Sequence, residues 1–268
     1  MLGQFIFNTC NHAGLNLKAL LRNSARSGSL SERELNNGDM HVSLKAFHAG
    51  NVVFDAIDFC TIRSGNHVEI SEKNCPILAD NNKEFTLVAQ CKRGDGEQYF
   101  PQEHQVIYSK KGDARTTSLV YDQLPVLGAK AKPILLLAPK VWASKDVNTF
   151  ISFANSDEAH TDKVVATKWK IDLLAQDGKI LRTLELDLKL NDVYLLDVKS
   201  ALSGIIEFTE QLQMIHVVAR GESVSCVILT FVQNQKTGAL ALEHSLSPHY
   251  YMNGDFNRVR KEAFLFAE

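Results

Sequence analysis

The chain has 268 residues, of which 45% are apolar and 22% charged. These values sit near the globular average, exclude a disordered chain, and leave room for one large or two ordinary domains. Lysine and arginine total 29 against 31 acidic residues, a formal net charge of -2, which excludes a nucleic-acid binder that works through a clustered basic excess.

No apolar run reaches the ~20 residues that span a bilayer; the densest, Ile134 to Ala138, is bracketed by Pro133 and Pro139. Met1 to Phe7 is apolar but lacks the basic start of a secretory leader. Five scattered cysteines, never in a C-x-x-C pair, argue against a zinc ribbon or a disulfide scaffold. They fit reduced thiols in a cytoplasmic protein.

In chain order, LNLKALLRNSARS (15–27) predicts a short helix, with Leu17, Leu20 and Leu21 on one face. A polar stretch follows, so residues 1–39 read as an N-terminal helical extension. From His41 the texture changes: Val42, Leu44 and Ala46 alternate with Ser43 and Lys45, the pattern of a half-buried strand. Short β-prone runs then recur (NVVFDAIDF, EFTLVAQCK, QVIYSK and TTSLVYDQL), separated by Gly, Asn and Asp. Such runs without helical crossovers predict antiparallel sheets in a sandwich-like domain over 40–130.

PVLGAKAKPILLLAPK (125–140) holds three prolines and reads as the boundary, with ILLL as the opening strand of a second sandwich-like domain over 131–268. Asp177-Gly178 between alternating apolar arms predicts a hairpin, and Leu184, Leu186, Leu188 and Leu190 form a leucine row on its second arm. KSALSGIIEF reads as a short helix before the last strands. The fold class expected is therefore mostly β: two antiparallel β-sandwich-like domains behind a short helical extension.

The two halves can be laid on each other. Val106–Pro125 aligns without a gap on Leu229–Pro248 at a constant offset of 123. Upstream, LVAQ at 87–90 resembles VVAR at 217–220. This pattern suggests an internal duplication.

Strong catalytic motifs are missing: there is no GxGxxG after a strand, no phosphate-binding GxxxxGK[ST], no HExxH and no GxSxG. Two segments stand out by composition. YFPQEHQVIY contributes Glu103, His104 and Tyr108, and LEHSLSPHYY contributes Glu243, His244, His249 and Tyr250. Histidine exchanges a proton near neutrality and ligates metals, so these side chains are the binding or metal candidates. Glu103 and His104 are adjacent in a strand and point to opposite faces, so each needs a partner from elsewhere. His216 lies within an apolar run and is expected in the core, as is Cys226. Trp142 and Trp169 are expected to be buried against Phe150, Phe153 or the leucine row. The carboxy-terminal NGDFNRVRKEAFLF combines phenylalanines with a basic face and is expected to pack across a domain or subunit boundary.

No reaction can be assigned from these residues. The reading they support best is a non-enzymatic binding or assembly module acting on a protein partner or on itself, with no cofactor and neither nucleic acid nor membrane as partner. The alternative is a metal-dependent enzyme or sensor with a His/carboxylate site at the domain junction.

Overall fold

The computed structural model describes residues 4–23, 38–93, 104–113, 117–121, 134–155, 166–221 and 226–244. The chain divides into two compact units, Met1–Leu124 and Pro125–Glu268. In the first unit the strands are β1 (Gln4–Asn8), β2 (Leu15–Arg22), β3 (Met40–His48), β4 (Asn51–Ile62), β5 (His67–Ile70), β6 (Thr86–Arg93), β7 (Gln105–Lys110) and β8 (Thr117–Tyr121). The second holds β9 (Ile134–Ala143), β10 (Val147–Asn155), β11 (Ala166–Leu174), β12 (Ile180–Lys189), β13 (Asp192–Asp197), a one-turn helix α1 (Val198–Ala201), β14 (Gln213–Gly221), β15 (Cys226–Asn234) and β16 (Leu240–His244).

Each unit contains two four-stranded antiparallel sheets. The first has the orders β1-β6-β3-β4 and β5-β2-β7-β8, the second β9-β14-β11-β12 and β13-β10-β15-β16. Counted from the start of each unit, these orders are the same. The offset of 123 sets β8 on β16 residue for residue and places β7 within β15. LVAQ and VVAR fall in the corresponding strands β6 and β14.

Corresponding loops are also tied in the same way. Thr9 N–H donates to Phe85 O at 2.9 Å, and Lys145 N–H to Thr209 O at 2.7 Å. Each bond joins the turn after the unit's first strand to the connection that leads into its sixth. Lys111 N–H donates to Gly14 O at 2.9 Å, and Gln235 N–H to Asp146 O at 2.7 Å. Each of these joins that same turn to the hairpin after the seventh strand.

The helix expected over 15–27 is not formed. Residues 15–22 are strand β2, paired with β5 and β7, and 24–27 lie outside the described residues. Leu15, Leu17, Ala19 and Leu21 are buried while the residues between them are not. That is a period of two, and it places four apolar side chains in the core, whereas a helix would have split them between faces. The first strands therefore belong to the sheets and are not an appendage to them.

In the second unit one core is shared by both sheets. Ile151, Phe153, Leu196 and Ile228 from one sheet meet Trp169, Ile171, Leu173, Ile215 and Val217 from the other. Phe153 and Trp169 pack with ring centroids 5.7 Å apart, and Leu181, Leu184 and Leu186 cover the cluster. Burying each large side chain contributes about 1.5–3 kcal/mol. The Asp177-Gly178 hairpin forms as the sequence indicates, with Gly178 at φ 87 and its N–H bonded to Ala175 O. Asp197 caps α1 by accepting from Ser200 N–H at 2.9 Å. Pro139 sits in edge strand β9 where the register against β14 shifts, a position that needs no ladder donor. Among the described residues no helix is long and apolar enough to cross a membrane.

Candidate functional site

The expected histidine, carboxylate and tyrosine candidates fall in both units, and three of them lie outside the described residues. His104 is buried, its ring centroid 3.8 Å from that of Phe5 at an interplanar angle of 45°. Tyr108 is fully buried and its hydroxyl donates to Asn8 O at 2.6 Å. This bond ties strand β7 of one sheet to β1 of the other. Both residues thus sit in the packing of the first unit. Glu243 lies on β16 opposite Thr230, with His244 opposite Leu229. Glu103, His249 and Tyr250, and the basic carboxy-terminal segment, fall outside the described residues. No group of three or more His, Cys, Asp or Glu side chains is placed to hold a metal among the described residues.

His216, expected in the core, is exposed. Ile215 and Val217 on either side point inward, so the alternation of the strand turns His216 to the outer face. An apolar run alone does not bury each of its members.

The most developed polar cluster surrounds Glu84, which is 6% exposed. Its Oε2 accepts from Thr9 Oγ1 at 2.7 Å and from Asn11 N–H at 2.9 Å. Its Oε1 accepts from His12 N–H at 2.7 Å and lies 2.8 Å from His12 Nδ1. Thr9 Oγ1 in turn accepts from Phe85 N–H at 2.7 Å. Beside it Lys111 reaches Asn81 and Asn11, and partial burial lowers its ammonium below the ordinary lysine range. With both oxygens doubly engaged, this carboxylate offers no open position to a metal or substrate. Its chemistry is that of a latch on the 9–14 turn.

A concavity of about 450 Å³ lies on the outer face of the second unit, lined by Lys168, Lys170, Glu185, Asp187 and Arg220 among others. Lys168 stands opposite Asp187 and Lys170 opposite Glu185 across the β11–β12 ladder. Arg220 pairs with the buried Asp172, which also accepts from Thr183 Oγ1 at 2.7 Å. Opposite charges facing across strands stabilise a solvated sheet face, and every cation here has an acidic neighbour.

The free edge of the first unit is different in kind. Strand β4 pairs with β3 on one side and ends its sheet on the other. Ile57 is 77% exposed, Val52 52% and Val53 46%, and Phe54 and Phe59 are half-buried. Two irregularities cause this display. Between the pairs Ala46↔Phe54 and Phe47↔Val52 the extra residue is Val53, and between Val42↔Cys60 and Leu44↔Ala56 three residues, 57–59, face Ser43 alone. Bulges re-aim side chains, and here they turn apolar ones outward. Asp55 is paired with Lys45 at 3.2 Å, and Asp58 is the strand's other charge. The sequence reading missed this edge. Its signal is that NVVFDAIDF is apolar at both odd and even positions, which a strand with one wet face does not need.

Cys10, Cys60, Cys75 and Cys91 are free thiols. Burial pushes Cys60 and Cys75 up to about 11 and Cys91 to about 12, and Cys10 well above the ordinary thiol value. A thiol held neutral in this way is a poor nucleophile.

No family model matches the chain, and no curated protein does. Among solved structures, a calcium-binding mutant of Bacteroides uniformis beta-glucuronidase 2 is 13% identical, with TM-score 0.20 over 90% of this chain and 25% of that chain. A putative beta-galactosidase from Bacteroides fragilis is 7% identical, with TM-score 0.20 over 91% of this chain and 32% of that one. The infectious bursal disease virus VP2 subviral particle is 9% identical, with TM-score 0.23 over 87% of this chain and 61% of that chain. This chain thus spans about a quarter to a third of the length of the two glycosidases. Scores this low carry no argument about fold or activity.

Proposed function

We propose that the protein is a non-enzymatic binding or assembly module that works through protein–protein contacts, with the free edge of β4 as its contact surface. The observation that supports this reading is the set Val52, Val53 and Ile57, exposed on a strand edge with no further strand beside it among the described residues. Exposed apolar edges are an aggregation liability that proteins blunt unless the edge is used.

We also read the two units as copies of one eight-stranded sandwich, on the strength of their common strand order and the matching loop tethers. The copies then serve as controls for one another. Strand β12 holds the position in its sheet that β4 holds in its own, and its exposed residues include Arg182, Glu185, Asp187 and Lys189. Charge guards one edge and is sparse on the other.

A photo-crosslinking residue at position 53, in the cells that make the protein, should yield a discrete adduct identifiable by mass spectrometry. The adduct should be lost with Ile57→Asp and should not form from position 183 on β12. Equal labelling from both positions, or none from position 53, would overturn the reading.

A further inference from the structure

The edge of β4 also constrains what kind of partner it accepts. We infer that its occupant is a separate protein segment combining β-branched apolar residues with lysine or arginine, and not a second copy of this chain. The inference rests on reading β4 as a contact surface.

Two features carry it. The first is the shape of the edge. Its irregularities at Val53 and at 57–59 leave Phe54–Ala56 as a short regular stretch between them. Bulges obstruct continuous strand addition, so recognition falls to side chains more than to a long main-chain ladder. The exposed apolar groups are Val52, Val53 and Ile57, and an apolar partner surface must receive them.

The second feature is charge. Both charged residues of β4 are acidic, Asp55 and Asp58, and they flank Ile57. Lys45 already faces Asp55, whereas Asp58 lies beside Ile57 in the wider bulge, and both are exposed. A contact between two copies about a two-fold axis is self-complementary, so residues i and j of one copy meet j and i of the other. In an antiparallel register centred on Ile57, Asp55 of one copy faces Phe59 of the other and Asp58 faces Ala56, so Asp55 of each copy lies one position from Asp58 of its neighbour and four carboxylates gather about the axis. Like charges brought this close repel and oppose the pairing. A basic partner turns the same carboxylates into attraction and gains speed of encounter at low salt.

The test uses the full chain and three labelled peptides in fluorescence anisotropy: alternating Val and Lys, alternating Val and Glu, and alternating Ser and Lys. The Val/Lys peptide should bind, with affinity falling as salt rises. Ile57→Ser and Asp58→Asn should each weaken it at least about tenfold, while Asp187→Asn on β12 should leave it unchanged. The other two peptides should bind far more weakly. Sedimentation velocity should show a species whose mass does not grow with concentration through this edge. A concentration-dependent dimer abolished by Ile57→Ser would overturn this inference yet leave β4 a contact surface. Val/Lys binding indifferent to Ile57→Ser, or no better than Val/Glu binding, would overturn it as well. The circular dichroism spectrum of each variant checks folding, which Ile57, 77% exposed, should not disturb.

Discussion

Strands β4 and β12 stand at the same place in two units of identical strand order, yet they treat their open side in opposite ways. β12 keeps a regular register with β11 except at the hairpin end, and beyond Ile180 at that end, 55% exposed, it shows Arg182, Glu185, Asp187 and Lys189 to solvent. β4 breaks register twice and shows valine and isoleucine. A common strand order therefore fixes where an edge lies, while the residues on it decide what that edge shows to solvent. The same contrast runs through the loop ends. The 9–14 turn is latched by a carboxylate buried to 6% exposure, whereas Glu210, which bonds Lys145 at 2.8 Å, is 72% exposed.

Core substitutions should test most forcefully whether the units are separate bodies. Trp169→Ala should cost the second unit about 3–5 kcal/mol, and Leu44→Ala should cost the first about 2–5 kcal/mol. Both tryptophans of the chain, Trp142 and Trp169, lie in the second unit, so tryptophan fluorescence reports on that unit directly. Leu44→Ala should leave the fluorescence transition in place while far-ultraviolet circular dichroism shows an earlier unfolding step. A fluorescence midpoint that moves with Leu44→Ala would make the halves one cooperative body.

The latches offer the next contrast. Glu84→Gln turns a group that accepts hydrogen bonds from Thr9 Oγ1 and the Asn11 and His12 amides into one that offers protons to some of the same donors. It should cost about 2–3 kcal/mol in chemical denaturation. Glu210→Gln should not move the melting temperature measurably, because solvent screens its pair. Equal losses would show that the second latch carries more than its exposure suggests.

Alkaline pH should separate the units next. The thiols of Cys60 and Cys75 are raised to about 11 and that of Cys91 to about 12 from an ordinary 9.0. A raised acid favours the folded state while protonated. Its contribution is complete below the unfolded value and is lost as pH climbs from about 9 through 11–12. All three residues belong to the first unit, so circular dichroism should register the loss before tryptophan fluorescence does. Replacing these three together with Cys10, which burial raises in the same unit, by alanine should flatten the decline. A decline that persists without them would assign it to other groups.

The smallest effect expected is also a direct check on the edge. Ile57→Ser and Glu185→Ser should each change folding stability by no more than about 0.5 kcal/mol, as exposed sites do. A larger loss at Ile57 in denaturant titrations would mean that the protein's own fold uses the side chain.

The mostly-β character was legible because Val42, Leu44 and Ala46, and later the leucines of β12, alternate cleanly, and because Asp177-Gly178 marks its own turn. β2 also fits a helix, because Leu17, Leu20 and Leu21 satisfy a helical spacing as well. Ala19, small enough to be passed over, supplies the member that makes the period two. The candidate contact surface stayed hidden for a different reason. A bulge is set by how two strands register, and nothing within NVVFDAIDF announces that Ser43 will face three residues. The histidines drew attention by chemistry alone, but burial is decided by alternation, which sent His104 inward and His216 outward.

The loop tethers are made by main-chain atoms: Thr9 to Phe85 and Lys111 to Gly14 in one unit, Lys145 to Thr209 and Gln235 to Asp146 in the other. A bond between an amide and a carbonyl is indifferent to the side chains it carries. These four bonds thus depend on the spacing of the turns and not on their side chains, although Glu84 adds a side-chain latch to the 9–14 turn. That independence makes the second unit's turn at Lys145, whose acidic partner Glu210 is exposed, a place where foreign loops could be grafted without disturbing the tethers.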